Sequence, residues 1–212
     1  MKFIRPPFFL KWIYPQATYR RSTSDPVLYL TFDDGPIPEV TPWVLDTLAE
    51  YQAKATFFCV GENVKKHPEI FKRLKEEGHS VGNHTYNHLK GWNNSDKAYL
   101  QNVADCRKLV DSTLFRPPYL RATSRQLNML KPHYEIVFYD VLAYDFDPNV
   151  SSEQCYKNVV DKARNGSIIV LHDNLKSFDT LKQCLPRILR DLKSKGYSFR
   201  SLDSEMGRMR MP

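Results

Sequence analysis

No apolar run in the 212 residues approaches the about 20 needed to cross a bilayer, so no transmembrane segment is expected. Cysteine is scarce and scattered. Cys59, Cys106, Cys155 and Cys184 form no Cys-x-x-Cys pair, which argues against a zinc finger or a disulfide framework. They read as small buried hydrophobes in a reducing compartment. No small-residue cleavage site follows the opening MKFIRPPFFLKWIY, and Arg5, Pro6, Pro7 and Lys11 interrupt its apolar content, so a signal peptide is not expected. Basic repeats and an aromatic–basic RNA signature are missing too. The net charge of +7 therefore reads mostly as solvated surface, and nucleic acid is not an expected partner. No internal repeat or linker-like stretch divides the chain, which at this length points to one well-buried domain.

What is present is ordinary in bulk, with 42% hydrophobic and 26% charged residues, as in soluble globular proteins. Residues 1–24 read as an N-terminal arm whose aromatics pack on a domain spanning 25–205, and residues 206–212 as a C-terminal tail. A second reading makes the arm a peripheral membrane foot, with Lys2, Arg5, Lys11, Arg20 and Arg21 facing anionic lipid. The expected location is accordingly the cytoplasm or the membrane periphery.

Short apolar, β-branched or aromatic runs alternate with helical patterns throughout. Strands are predicted at Val27–Asp33, Ala55–Val60, His79–Asn83, Leu114–Arg116, Glu135–Val141, Ser167–His172 and Tyr197–Ser201. Between them, Thr41 before Pro42 predicts a capped helix start, Gly78 a helix stop, and Ser151 with Gln154 a capping box. Such β-then-α units argue for a parallel sheet with helices outside, either doubly wound or a short barrel. Asp33, Asp34, His84, Arg116, Asp145 and His172 all fall at or just past C-terminal strand ends, which gather at one rim only in a barrel. The fold class expected is α/β, an irregular, incomplete (β/α)7 barrel, closed or nearly so.

The residues at that rim carry chemistry. His84 and His88 are four apart, so on a helical turn their rings share a face, and one carboxylate completes a His-His-Asp set with room for water. With no sulfur ligand in the set, zinc, cobalt or nickel would suit it. In Thr31-Phe32-Asp33-Asp34-Gly35-Pro36, neighbouring strand residues reach one site only if the strand bends, and Gly35-Pro36 supplies the bend. The tetrapeptide Asp-Asp-Gly-Pro alone is equally compatible with a turn whose carboxylates cap a helix. Leu114-Phe115-Arg116-Pro117-Pro118-Tyr119 stiffens the backbone around a guanidinium that can hold a carboxylate ionised, or is simply a rigid surface loop. His172, ending a buried strand, is either a structural histidine or one whose pKa is raised by the carboxylates of Tyr144-Asp145-Phe146-Asp147.

Taken in order, TFDDGP, HTYNH, FRPPY, the Asp145 segment and LHD resemble the five motifs of the polysaccharide deacetylase family, metal-dependent carbohydrate esterases that include chitin and peptidoglycan N-deacetylases. The resemblance covers about Val27 to Ser201 and implies an incomplete (β/α) barrel. It implies Asp33 as general base, Asp34, His84 and His88 as ligands of one divalent ion (zinc first, cobalt or nickel also admissible), and Arg116 as the partner that orients Asp33. It further implies the Tyr119 backbone N–H in the oxyanion site, His172 as general acid held protonated by Asp145, Leu171 lining the acetyl-methyl pocket, and Phe146 as an apolar wall.

Two positions depart from the family pattern. Leu120 stands where the family has Gly, which predicts a different loop and a narrower groove because leucine adopts φ > 0 only at a cost. Phe146 replaces a Trp and lacks the indole donor. The expected function is removal of N-acetyl groups from N-acetylglucosamine-type sugars of a polysaccharide or oligosaccharide, with release of acetate. The alternatives are a metal-dependent amidase for a small non-glycan amide, favoured by a narrow groove, and a non-catalytic glycan-binding barrel.

Overall fold

A computed structural model of the protein describes residues 2–202, so the expected tail at 206–212 lies outside the described residues. The strands are β1 (Ala17–Thr18), β2 (Val27–Asp33), β3 (Ala55–Cys59), β4 (Ser80–Asn83), β5 (Leu114–Phe115), β6 (Glu135–Val137), β7 (Val141–Leu142), β8 (Ile168–His172) and β9 (Ser198–Phe199). The helices are α1 (Phe8–Ile13), α2 (Thr41–Glu50), α3 (Gly61–Lys66), α4 (Pro68–Glu76), α5 (Asp96–Arg107), α6 (Ser124–Leu130), α7 (Ser152–Val160) and α8 (Phe178–Ser194). No described helix is long and apolar enough to cross a membrane.

Among the described residues all the strand pairs are parallel, in the order β1-β6-β5-β4-β3-β2-β8-β7, with β9 paired to the start of β2. The strand expected at Glu135–Val141 is two short strands instead. β6 pairs with β5 and β7 pairs with β8, so one continuous segment serves opposite ends of the sheet, with only Phe138–Asp140 between. Four residue steps reach at most about 14 Å, so the sheet must curl until its ends nearly meet. The result is a curled parallel half-barrel with helices outside, an incomplete (β/α) barrel.

Alternation along the strands sorts the core into two sets. Leu28, Leu30, Phe32, Ile169 and Leu171 point outward and pack with Leu45, Leu48, Leu185, Ile188 and Leu189 of α2 and α8. Phe58, Leu114, Val137 and Ile168 form a smaller cluster with Leu202, and Tyr29 packs against it. Burying apolar side chains on both faces is what a parallel sheet requires. The strand register then places Asp33 beside His172 and Asn83 beside Phe115, so His84 and Arg116 follow on adjacent strand ends.

Helix starts differ from expectation in two places. Val40, not Thr41, is the cap residue of α2, and the Thr41 hydroxyl donates to Asp173 Oδ2 at 2.6 Å. Ser151 caps α7 by accepting from Gln154 N, while the Gln154 side chain turns to Asn158 instead of closing the box. The arm packs on the barrel through Ile4, Leu10, Tyr14 and Tyr19, and β1 extends the sheet beside β6.

Candidate active site

A cavity of about 780 Å³ opens at the C-terminal rim, lined by Asp33, Asp34, His84, His88, Arg116, Tyr119, Phe146 and His172, with Val170 and Asn174. Asp34 leaves strand geometry at φ 88°. That turn lets two successive carboxylates reach one cavity, as the bend at Gly35-Pro36 requires. Its backbone is held by Asn63 Nδ2, which donates to Asp34 O at 2.8 Å. Gly35 is obligatory here: a Cβ at this position would lie 1.9 Å from Asp173 Oδ2.

Asp34, His84 and His88 offer one ligand atom each within 4.8 Å of one another. His84 Nδ1 lies 2.7 Å from Arg116 O, a bond that makes Nδ1 the donor and leaves Nε2 free to ligate. Asp34 Oδ1 is 3.0 Å from His88 Nε2 and 3.7 Å from His84 Nε2, yet it is buried without a hydrogen-bond partner. A buried carboxylate oxygen left unpaired between two imidazole nitrogens fits a cation. Its other oxygen accepts from Asn174 Nδ2 at 2.6 Å. Burial opposes the Asp34 charge, but the His88 contact and the neighbouring His172, His84 and His88 rings hold its pKa far below the usual carboxylate range. Burial lowers His84 to about 4, so its ring is neutral and able to ligate at pH 7.

The two histidines are not on a helical turn. Residues 84–90 form an irregular loop in which Thr85 and His88 have positive φ. Local side chains shape it: Asn83 Oδ1 accepts from Thr85 N, Thr85 Oγ1 from Leu89 N, and Asn102 Oδ1 from Tyr86 N. Positive φ at non-glycine residues is concentrated at this rim. Asp34, Thr85, His88, Tyr119, Leu120 and Tyr144 carry it, and among the described residues Gln52 is the exception elsewhere.

Arg116 is 1% exposed and spends its guanidinium on four acceptors. Nη1 donates to Asp33 Oδ1 and Thr31 Oγ1, both at 2.7 Å, while Nε and Nη2 donate to the carbonyls of Val137 and Phe138. Those carbonyls sit where β6 ends, so the break in the strand serves to seat the arginine. Burial pulls the Arg116 pKa down and the Asp33 carboxylate offsets it.

His172 lines the same cavity and carries a carboxylate partner of its own. Asp145 Oδ1 accepts from Nδ1 at 2.9 Å and Oδ2 from the His172 backbone N–H at 2.7 Å. Burial disfavours the imidazolium, but Asp145, with Asp34 and Asp33, raises its pKa to about 9. Phe146 meets the ring edge-on at 4.7 Å.

Leu171 does not line the cavity. It lies fully buried in the outer core, whereas Val170, two residues before His172 on the same face of β8, borders the site. Period-two alternation in Ile168–His172 carries that signal. Leu120 adopts φ 53° after Tyr119 at φ 57°, so leucine accepts the left-handed conformation here, and it borders the cavity. Three further residues support the site: Asp173 and Asn174 follow His172 directly and are signalled by that adjacency, whereas nothing local in the sequence singles out Thr31.

The fold and the rim together define a class: a curled (β/α) barrel whose rim cavity joins an Asp-His-His set able to hold a metal with an arginine-paired carboxylate and a carboxylate-paired histidine. The chain belongs to the polysaccharide deacetylase family, whose model matches residues 20–133. It is 34% identical over 205 residues to a peptidoglycan-N-acetylglucosamine deacetylase of Bacillus cereus, covering 93% of each chain. It is 34% identical over 155 residues to a chitooligosaccharide deacetylase of Azorhizobium caulinodans, covering 69% of this chain and 73% of that one. The crystal structure of the Bc1960 peptidoglycan N-acetylglucosamine deacetylase superposes with a TM-score of 0.85 at 31% identity, over 93% of this chain and 95% of that one.

Proposed function

We propose that this protein is a metal-dependent hydrolase that removes N-acetyl groups from N-acetylglucosamine-type sugars of a polysaccharide or oligosaccharide, releasing acetate. The observation that carries the reading is one cavity in which the Asp33–Arg116 and His172–Asp145 pairs flank the Asp34-His84-His88 triad. Asp34, His84 and His88 would hold one divalent ion, and their nitrogen and oxygen donors suit zinc, with cobalt or nickel also accommodated. When bound, such an ion supplies positive charge that acidifies water and polarises an acetyl carbonyl.

The chain's own residues then divide the proton work. Asp33, fixed by Arg116, takes a proton from water as its oxygen adds to the acetyl carbon. The Tyr119 N–H is proposed to meet the oxyanion of the tetrahedral intermediate. His172, protonated at neutral pH, gives its proton to the amide nitrogen. The C–N bond breaks, and acetate and a free sugar amine leave. Val170 and Phe146 give the acetyl methyl an apolar seat.

Cavity size supports a glycan over a small linear or cyclic amide, since about 780 Å³ lies well within the range for ligands larger than a single amide. Metal-loaded protein incubated with N-acetylglucosamine oligomers should release acetate and expose amines. No release from oligomers, peptidoglycan fragments or sugar nucleotides would defeat the proposal.

A further inference from the structure

We propose that the N-terminal arm is an interfacial foot that seats this protein on an anionic lipid surface. The helix α1 buries none of its residues. Phe8 is 87% exposed and Trp12 83%, and Phe3, Phe9 and Ile13 are exposed beside them. Phe8, Phe9, Trp12 and Ile13 fall at i, i+1, i+4 and i+5, one face of the helix, while Leu10 on the other face packs against the barrel cluster of Tyr14, Tyr19 and Phe138. An apolar face of this kind is seldom left to water without a partner.

Charge identifies the partner. Residues 1–24 contain Lys2, Arg5, Lys11, Arg20 and Arg21 and no acidic residue. Lys2, Arg5 and Arg21 pair with Asp147, Asp140 and Glu135, whereas Lys11 and Arg20 have no ion-pair partner among the described residues. Aromatic side chains flanked by cations suit the boundary between headgroups and acyl chains of an anionic leaflet. A second copy of the chain would bring two such basic arms together and is disfavoured by repulsion.

The foot is also pre-organised. Arg5 pairs with Asp140 at 2.8 Å, Leu142 N donates to Ile4 O, and Tyr14 Oη donates to Ala122 O at 3.1 Å. Docking therefore orders nothing new. Tyr144 Oη donates to Phe3 O, and Tyr144 lines the cavity, so seating the arm brings the rim close to the bilayer. Of the two expected locations, the membrane periphery is the one this face supports.

The test is sedimentation of the full chain with phosphatidylcholine vesicles, with and without phosphatidylglycerol, at low and high salt. The wild type should bind only the anionic vesicles, more weakly in high salt. Phe8→Ser/Trp12→Ser should lose binding by more than about tenfold, with its melting temperature and acetate release from soluble oligomers unchanged. Lys11→Glu should weaken binding without affecting either control. Equal binding by wild type and double variant, or no binding by wild type, would overturn the proposal. So would a concentration-dependent dimer in light scattering that the double variant abolishes, because that result makes a second copy the occupant.

Discussion

Replacing Asp145 by Asn removes the charge that holds His172 protonated and leaves the volume almost unchanged. Burial opposes the imidazolium, and the carboxylates, Asp145 foremost, raise the pKa from 6.5 to about 9. That displacement is worth roughly 3 kcal/mol at about 1.36 kcal/mol per pH unit. In the variant, burial acts with far less opposition, and the His172 pKa falls to its ordinary value or lower. At a pH of about 7.5 the protonated fraction then drops from nearly all to about one tenth or less, and an acid that must give its proton to a departing amine is lost in proportion. The alkaline limb of kcat/KM for acetate release should move down by about two pH units or more. A bound dication lowers both limbs together and leaves their order unchanged. Stability follows the same linkage. A raised histidine pKa stabilises the fold fully below pH 6.5 and loses that contribution as pH rises through about 9, so the variant's deficit in urea should be largest at and below about pH 6.5, shrink as pH rises from there, and be gone above about pH 9. An alkaline limb that stays in place in the variant would refute the pairing as the source of the acid.

Asn174→Ala should weaken metal binding about 10- to 100-fold in a chelator competition, because the Asn174 amide aims Asp34 Oδ1 at the ion; unchanged affinity would remove that role. Asp33→Asn should keep the metal and lose about 10²- to 10⁴-fold in kcat, whereas His84→Ala should empty the site as read by metal content. If Asp33→Asn loses metal and fold together, Asp33 is structural. Gly35→Ala forces a Cβ onto Asp173 and should cost about 1–3 kcal/mol in denaturant unfolding; an unchanged midpoint would contradict the close approach.

Residue types and local spacing determined much of this protein. Buried runs such as Val27–Asp33 and Ile168–His172 ended in polar residues, and their alternation with helical patterns indicated a parallel barrel with chemistry at one rim. The five motifs carried the family and, with it, the residues that meet at the cavity. Spacing did not settle how those residues are held. The pair His84 and His88 sits on a loop with positive φ and not on a helix, because Asn83, Thr85 and Asn102 satisfy its backbone in place of a helical turn. Glu135–Val141 breaks into two strands because each half is claimed by a different partner strand and Arg116 takes the carbonyls at the break. Thr41 turns from capping its own helix to Asp173, and Asn174 reaches Asp34 across 140 residues of sequence. Local pattern reports what a residue prefers over a few neighbours. Which buried carboxylate receives which donor is decided only when distant strand ends are brought side by side and every polar group there must find a partner.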